Sequence, residues 1–584
     1  MDKRFALALG LSVAIIFGWN YFFPPVRPVP PAPATTRTSS DAAPVVPGSV
    51  PTPAPALTAT APAAGSAPVP SGALPANGAA PVAPIPPVEK PKEQLVTFEE
   101  PGFYRATLSS YGGAIVSWEL LSPHYVSGKG KDTKPIQLAE KYGTSSMLTI
   151  SATGDLPVPA DAVWSEAAAA PDQKRFVYDS DTVKVTKTYS FVPKTYEVKL
   201  HVRIESKLDR ATKQAMLVDV PGYHNPGDKG GGFFSPSVIV TEGACHVDGK
   251  LEHSPYDKIL KEPIAKSGHL RWAAIDRKFF VAAVAFSGAN TDGAGHCSVA
   301  ANGAGQMLAQ LVLPERTLAG KGTTELELGG FFGPKLVKEL DRIRIGAAQV
   351  DVKLGDVMNY GMTEFIARPL LAVLRAAHSV IPNWGIAVIL LTILVKAALW
   401  WPTQKSMESM KKVGALKPEV DKLKERHGDD KNAFNMAVME LYRKEGVNPA
   451  GGCLPMLIQF PIFIGLFSML GSSVELYHAP FVPGWIVDLT QPDPFYILPV
   501  ALGGLMYLQQ KLSPTAPDAN QKTMMYGMQI AFVVASLLWP AGLTLYSLTN
   551  SVTSIFQQWI TNRKIAAAPV VASSNKNSKK NKKS

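Results

Sequence analysis

Residues 389–402 read ILLTILVKAALWWP, and Lys396 is the only charged residue in this otherwise apolar stretch. A charged side chain at the centre of a membrane span costs roughly 2.5–3.5 kcal/mol, while each Leu, Ile or Val contributes about 0.3–0.6 kcal/mol in favour of insertion. The stretch therefore still inserts as a helix. Two interpretations of Lys396 stay open at this point. Either its stem extends so that the amine reaches the interface near Trp401, or the amine serves a polar site inside the membrane.

Six apolar runs have the length of membrane spans in this chain of 584 residues, of which 46% are hydrophobic and 18% charged. The first run, residues 5–23, follows Lys3-Arg4 and ends in aromatic residues instead of a small-x-small cleavage site. It therefore predicts an uncleaved anchor over 1–23 and not a signal peptide. The other runs predict five core spans, at about 384–401, 453–471, 495–512, 524–539 and 541–560.

The composition changes twice between the anchor and the core spans. Residues 24–94 are mostly Pro, Ala, Val, Ser and Thr, which predicts an extended linker without a core. Residues 95–345 alternate apolar and polar positions, as in TYEVKLHVRIES (195–206), and predict a β-sandwich domain. Residues 346–382 carry two arginines off the apolar helix face and an internal proline, which favours an amphipathic helix at the membrane surface.

The three cysteines are too few for a disulfide framework. Cys245-His246 and His296-Cys297 leave a zinc pair, a single disulfide or two buried unlinked thiols open, and the last of these is favoured. The sequence has neither a Walker-type phosphate loop nor an HExxH zinc motif. We therefore expect no cofactor, no metal site and no enzymatic reaction.

Loop charges predict the orientation of the chain. Residues 402–449 hold ten Lys/Arg, 511–523 hold two and the tail at 563–584 holds seven, whereas 472–493 hold none and three acids. The positive-inside rule places the basic segments and both termini in the cytoplasm, and the β domain in the periplasm outside a bacterial inner membrane. The basic tail is expected to be disordered and either to attract an anionic surface or only to add solubility.

The segment at 402–449 predicts a helical hairpin more strongly than a solvated loop. An apolar seam continues at three- and four-residue steps, Pro418 interrupts it, and Gly428 before Asp429-Asp430 predicts a helix end and a new start. The seam consists of Val413, Leu416, Val420, Leu423 and His427. The cations expected to carry its function are Lys411, Lys412, Lys422, Lys424 and Arg426.

The last span carries polar side chains along one whole face. Polar groups that face lipid would lack partners, so this face points either at other helices or at water. Interhelical hydrogen bonding is one interpretation. The favoured one is a hydrated groove in which Lys396 is the fixed positive charge. The predicted groove residues are Thr392, Lys396, Gln459, Gln529, Ser547, Asn550, Ser551 and Ser554.

The chain resembles the YidC-type insertases of the YidC/Oxa/Albino family. The resemblance is carried by NWG (383–385), LVKAALWWPTQKSMESMKK (394–412), LYRKEGVNPAGGCLPMLIQFPIFIGLF (441–467) and LLWPAGLTLYSLTN (537–550). It implies a periplasmic β-supersandwich, five core helices around a groove open to cytoplasm and lipid, and a basic groove residue that maps onto Lys396. Bacterial relatives usually carry arginine there. Lysine departs from this pattern because it offers a point charge instead of a two-point fork.

The sequence as a whole thus predicts a multi-domain membrane protein, with its α-helical core over 383–562. The resemblance implies a membrane protein insertase and chaperone, mostly monomeric, that receives nascent membrane proteins from the ribosome, alone or with the Sec translocon, and releases them into membrane lipids. Apolar client segments would slide along adaptable side chains, although an ordinary lipid-facing role is the alternative for each methionine. These residues are Met456, Phe463, Phe467, Met469, Met524, Met525 and Met528.

Two other classes of protein stay open. A secondary transporter could use Lys396 as an anion or proton site, but the sequence has no internal repeat and no acid in the core spans to pair with it. A membrane-anchored glycan-binding or glycan-processing protein would place its function in 95–345 and would not need a polar last span.

Overall fold

The computed structural model describes residues 91–128, 132–225, 241–286, 294–346, 349–360, 363–428, 430–447, 454–512 and 519–566. The predicted anchor, the predicted linker up to residue 90 and the tail after residue 566 lie outside the described residues. The described residues belong to one compact unit, in which a β domain precedes a helical domain.

The β domain begins at Leu95 and contains 22 strands and two short helices within the described residues. The strands are β1 (Leu95–Glu100), β2 (Tyr104–Ser109), β3 (Ala114–Leu120), β4 (Val126–Ser127), β5 (Lys134–Pro135), β6 (Thr149–Gly154), β7 (Ser165–Ala167), β8 (Gln173–Asp179), β9 (Val183–Phe191), β10 (Glu197–Ser206), β11 (Thr212–Tyr223), β12 (Thr241–Val247), β13 (Lys250–Pro255), β14 (Ile264–Gly268), β15 (Leu270–Arg277), β16 (Phe280–Phe286), β17 (Gly295–Ala301), β18 (Gln306–Val312), β19 (Arg316–Leu318), β20 (Thr323–Pro334), β21 (Arg344–Ile345) and β22 (Val350–Asp351). The short helices are α1 (Tyr256–Ile259) and α2 (Val337–Leu340).

Two large antiparallel sheets dominate the β domain, beside the three-stranded sheet β1-β2-β3 and the two-stranded sheets β4-β5 and β21-β22. The nine-stranded sheet has the order β13-β12-β15-β16-β20-β10-β9-β8-β7, and the smaller sheet has the order β14-β17-β18-β11-β19 with β6 beside β11. Strands β9 and β10 show why the sequence folds this way, since alternate residues from Val183 to Phe191 point into the core. The prediction of a β-sandwich from two-residue periodicity is confirmed.

Cys245 and Cys297 form a disulfide bond, and the preference for unlinked thiols was wrong. Cys245 lies on β12 of the larger sheet and Cys297 on β17 of the smaller one, both fully buried, with their Cα atoms 6.0 Å apart. The bond therefore joins the two sheets. The sequence places each cysteine at an inward position but does not show that the two strands face each other. Across the described ranges, no three His, Cys, Asp or Glu side chains lie close enough to hold a metal ion.

The helical domain follows the last short strands. Its helices are α3 (Glu364–Val380), α4 (Trp384–Ala398), α5 (Trp400–Ala415), α6 (Lys417–His427), α7 (Lys431–Lys444), α8 (Leu454–Ser472), α9 (Ile497–Leu512), α10 (Ala519–Ser536) and α11 (Ala541–Ala566). Helices α4 and α5 are bent by 63° where they meet. No single helix within the described residues has both the length and the mean hydropathy typical of a membrane span, and the bent pair α4–α5 reaches them only when its two helices are taken together.

Within the segment at 402–449, one helix begins near Pro418 and ends before Gly428, the two positions that the sequence singles out. Helix α5 ends at Ala415, and α6 begins with Pro418 in its first turn, where the missing N–H of proline costs nothing. Helix α6 ends before Gly428, and the Asp430 side chain accepts hydrogen bonds from the backbone N–H groups of Asn432 (2.9 Å) and Ala433 (3.0 Å) at the start of α7. The seam residues from Val413 to His427 are half-buried.

Candidate functional site

The segment Asn383-Trp384-Gly385 fixes the start of α4. The Asn383 side chain accepts a hydrogen bond from the Ile386 N–H (3.0 Å) and donates one to the Phe481 carbonyl (3.1 Å). The Trp384 ring stacks on His378 with centroids 3.8 Å apart. A Cβ atom at Gly385 would lie 2.1 Å from the Phe481 ring, so only glycine allows this approach. These contacts fix the start of α4 and therefore the position of Lys396, which lies about 18 Å from Trp384 along the helix.

The loop at residues 472–493 also fixes the starts of α9 and α11. Asp493 accepts hydrogen bonds from the Trp485 indole N–H and the Leu498 backbone N–H, both at 2.7 Å. The Ala541 N–H donates to the Gln491 carbonyl at 2.7 Å. Three helices, α4, α9 and α11, therefore have their starts fixed by the same loop. We call residues 472–493 the organising loop.

A polar cluster lies where α4, α8 and α11 meet. The Lys396 Nζ atom donates to the Ser554 hydroxyl at 2.8 Å, and Ser554 donates to the Asn550 carbonyl at 2.7 Å. The Gln459 amide donates to the Asn550 side-chain oxygen at 2.6 Å. Lys396, Gln459 and Asn550 are half-buried, whereas Ser554 is buried. We call these four residues the Lys396 cluster. The amine turns toward α11 and not along α4 toward Trp401, so the interface interpretation does not describe this structure.

Three other predicted groove residues lie on buried helix faces beside the cluster. Thr392 donates to the Val388 carbonyl at 2.7 Å, and Ser547 donates to the Leu543 carbonyl at 3.0 Å. Ser551 is also buried. The hydroxyls of Thr392 and Ser547 are satisfied by their own helices, so they add polarity to the wall without needing a partner across it.

Helix α11 has its polar side inside and its apolar side outside. Beyond the Lys396 cluster, Gln557 donates to the Trp400 carbonyl at 3.1 Å and Thr561 donates to the Gln404 side chain at 2.8 Å. Val552, Phe556 and Trp559 on the opposite side are 45–56% exposed. This arrangement is the reverse of a helix in water, where the apolar side is buried. It suits a helix whose outer side faces lipid.

Gln529 does not join the Lys396 cluster. Its side-chain amide donates to Gln510, so the contact joins α10 to α9, and Gln510 also lies 3.8 Å from the Met525 sulfur. The sequence places Gln529 at mid-span but cannot show that α10 packs on α9 instead of α11. This part of the predicted groove therefore needs correction.

The residues predicted to contact sliding client segments are partly buried and partly exposed. Met469 is fully buried and is not part of an accessible surface. Phe463 and Phe467 pack in an aromatic cluster with Trp539, their ring centroids each 6.1 Å from it. Met524 and Met528 on α10 are 66% and 55% exposed, and Met525 is half-buried. The Met456 side chain lies outside the described residues. Because α8 is apolar on all sides, its sequence does not show which side faces outward.

The hairpin cations lie at the surface. Lys412 on α5 and Lys422, Lys424 and Arg426 on α6 are exposed, whereas Lys411 is half-buried. They form a basic surface on the helices that follow the α4–α5 bend.

An ion pair that the sequence did not predict joins α3 to the organising loop. The Arg375 Nε atom donates to the Glu475 carboxylate at 2.8 Å, and a second guanidinium nitrogen contacts the same oxygen. The Glu475 side chain is only 6% exposed and that of Arg375 24%. One signal was available, since Glu475 is one of three acids in a loop without Lys or Arg. No sequence signal indicated that Glu475 pairs with Arg375, which lies 100 residues away.

We expect Arg375→Met to lower the free energy of unfolding by about 2–3 kcal/mol, because it leaves the buried Glu475 carboxylate without a partner. The partial exposure of Arg375 keeps this below the cost of breaking a fully buried pair. Denaturant unfolding of the full chain in detergent measures the effect. The double variant R375M/E475L is expected to recover part of the loss. A double variant less stable than R375M would contradict the assignment.

The fold and the site together define a class of protein: a β-sandwich joined to a helical bundle that keeps a charged, amide-rich cluster inside and apolar side chains outside. Residues 96–373 match the family described as the YidC periplasmic domain, and residues 376–568 match the family described as 60Kd inner membrane protein. A membrane protein insertase YidC from Anaeromyxobacter sp. (strain Fw109-5) is 37% identical over 503 residues, which is 83% of this chain and 87% of the relative. The chain belongs to the YidC family.

Two further comparisons extend over most of the chain. A membrane protein insertase YidC from Oleidesulfovibrio alaskensis is 31% identical over 590 aligned residues, with 96% of this chain and 98% of the relative covered. A crystal structure of an active YidC insertase with its first transmembrane domain resolved is similar over 80% of this chain and 93% of that chain, at 16% identity and a TM-score of 0.34.

Proposed function

We propose that this chain is a membrane protein insertase and chaperone, in which the Lys396 cluster receives the polar part of a client while its apolar part passes into lipid. The observation that supports this proposal is the half-burial of Lys396, Gln459 and Asn550 among helices with apolar outer sides. Half-buried polar groups in that position keep contact with water. They offer a hydrated path through a layer that otherwise excludes polar segments.

The charge of Lys396 lowers the cost of bringing a client carboxylate into the membrane. Two opposite charges about 4 Å apart attract by about 4 kcal/mol at an effective dielectric constant of 20. This is comparable with the roughly 2.5–3.5 kcal/mol that a charged residue costs at the centre of a span. One lysine thus offsets the cost of about one client acid. Transfer of the client requires positioning and positive potential, and we propose no covalent reaction and no cofactor.

We propose that α4–α5, α8, α9, α10 and α11 provide the five core spans, with the β-sandwich in the periplasm and the basic segments in the cytoplasm. Two contacts support a common side for the sandwich and the organising loop. The Tyr477 hydroxyl donates to the Val126 carbonyl at 2.7 Å, and the His478 Nε2 atom lies 3.0 Å from the same oxygen. The Cys245–Cys297 disulfide also favours an oxidising compartment such as the periplasm.

The surface features suggest where partners would bind. Exposed cations on α5 and α6 form the hairpin surface that we assign, with the basic tail, to the ribosome. Met524 and Met528 on α10 offer adaptable apolar contacts to client segments. Phe365 and Val373 of α3 are exposed and would enter the outer interface of the bilayer. We propose that the protein works mostly as a monomer, alone or beside the Sec translocon.

The test is complementation of a bacterial strain depleted of its own insertase. The full chain is expected to restore growth and the insertion of short membrane proteins. Residues 95–345, exported alone to the periplasm, are expected to restore neither, because they lack the Lys396 cluster. If the exported sandwich sufficed, the function would lie in the periplasmic domain and the insertase proposal would fail.

A further inference from the structure

Helix α11 carries an exposed stripe that ends in a cation over an aromatic ring. Val552, Phe556, Trp559 and Arg563 follow at steps of four, three and four residues, and all four are exposed. The Arg563 guanidinium carbon lies 3.8 Å from the centroid of the Trp559 ring. The stripe therefore runs from apolar side chains through an amphipathic ring to a positive charge.

The same pattern occurs across the bend between α4 and α5. Leu394, Ala398, Trp401 and Lys405 have the same spacing and are all exposed. The Lys405 amine lies 3.9 Å from the centroid of the Trp401 ring. An aromatic ring under a cation leaves the other N–H groups of that cation pointing outward, where they can donate to an anion.

Helix α9 repeats the pattern a third time. Val500, Gly504, Tyr507 and Lys511 are exposed at the same spacing, and the Lys511 amine lies 4.8 Å from the Tyr507 ring centroid. The three helices with the stripe, α4–α5, α9 and α11, are those that start from the organising loop. In each of them the cation is the stripe residue farthest from the helix start that the loop fixes, and α5 continues ten residues beyond Lys405 to Ala415.

Two of the pairs lie at the same level of the bundle. The hydrogen bonds from Gln557 to Trp400 and from Thr561 to Gln404 hold the first turns of α5 against the last turns of α11. Within the described part of the chain, no carboxylate forms a salt bridge with Lys405, Lys511 or Arg563, so their charge is available to a partner outside the protein.

We propose that these three aromatic–cation pairs bind the headgroups of acidic phospholipids in the leaflet next to the basic segments. The proposal rests on the membrane placement given above. In that placement the apolar part of each stripe faces acyl chains, the ring lies among the headgroups, and the cation meets the lipid phosphate. The lipid would hold the first turns of α5 and the last turns of α9 and α11 at the cytoplasmic interface. RNA is the less suitable partner, since each cation directly follows a lipid-facing stripe.

The test is a lipid titration of the full chain in detergent, followed by native mass spectrometry. Phosphatidylglycerol is the acidic probe and phosphatidylcholine the zwitterionic control. The unmodified chain is expected to bind three phosphatidylglycerol molecules before it binds phosphatidylcholine. Each of the single variants K405Q, K511Q and R563Q is expected to lower the phosphatidylglycerol affinity of one of the three sites about five-fold. The reason is that a Lys or Arg near an anionic surface contributes on the order of 1 kcal/mol.

Two matched variants make the result specific. K412Q/K422Q/K424Q removes three exposed charges outside the stripes and is expected to keep all three sites. W401L/Y507L/W559L keeps the charges but removes the rings and is expected to weaken the same three sites. Circular dichroism checks that each variant is folded.

The proposal is overturned if the control variant loses as much binding as K405Q/K511Q/R563Q, or if the chain does not distinguish the two lipids. A parallel titration with a short RNA would also overturn it if K405Q/K511Q/R563Q lost RNA binding and kept phosphatidylglycerol binding. The titration contains no client protein. If the lipid sites were not found, the insertase function would therefore be unaffected. If the complementation test failed, the lipid sites could still be measured.

Discussion

Lys396→Glu is expected to abolish insertion of clients with acidic segments, lowering the rate by at least about 100-fold. The substitution replaces an attraction of about 4 kcal/mol with a repulsion of similar size at an effective dielectric constant of 20. A fraction of that change suffices, since each 1.4 kcal/mol is a factor of ten in rate. Insertion is measured in proteoliposomes by protease protection of two matched clients, one with an acidic segment and one with a neutral segment.

Three companion variants define the electrostatic contribution. Lys396→Arg is expected to keep full activity, because it retains the charge and can still donate to Ser554. Lys396→Ala is expected to fall between arginine and glutamate. Lys250→Glu makes the same charge change at an exposed position of β13, in the sandwich and away from the Lys396 cluster, and is expected to have little effect. Equal insertion of the acidic client by the glutamate variant and the unmodified chain would remove the electrostatic part of the mechanism.

Removing the Cys245–Cys297 disulfide is expected to lower the free energy of unfolding of the sandwich by about 4 kcal/mol. The bond closes a loop with a sequence separation of 52 residues, and the entropy it removes from the unfolded chain corresponds to about that value. The bond also joins the two sheets, so its loss acts on the whole core of the sandwich. Denaturant unfolding of C245A/C297A in detergent, detected by pulse proteolysis, measures the change.

Reductant provides the matched control for this prediction. The unmodified chain with dithiothreitol is expected to unfold like C245A/C297A without it, and the variant itself is expected to be insensitive to reductant. Variant stability within about 1 kcal/mol of the unmodified chain, together with no effect of reductant, would show that the bond is not formed.

Features with a strong local signal were predictable from sequence. Alternation along β9 and β10 predicts half-buried strands, because side chains of a strand point to opposite sides of the sheet. Asp430 marks a helix start through its own side-chain capping, whereas Pro418, predicted only to interrupt the seam, lies in the first turn of α6. The polar side of α11 predicts an inward face, because the alternative is unsatisfied hydrogen bonds in lipid.

Pairings between distant elements were not predictable. Whether Lys396 reaches Ser554 or the interface depends on which helix packs on α4. The partner of Gln529 and the burial of Met469 depend in the same way on helix packing, which spacing along one helix does not determine. The Cys245–Cys297 bond requires knowing that β12 and β17 face each other across two sheets. A single sequence shows which face of each helix or strand is polar or apolar, but not which other element packs against that face.

Site-specific photo-crosslinking to a stalled client tests the central claim most directly. The probe is placed at Gln459 or Asn550 inside the bundle, and at Val552 or Phe556 on the outer side of α11 as matched controls. A polar client segment held by Lys396 is expected to crosslink at the two inner positions and not at the two outer ones. Crosslinks confined to Val552 and Phe556, or equal at all four positions, would show that polar segments bypass the Lys396 cluster.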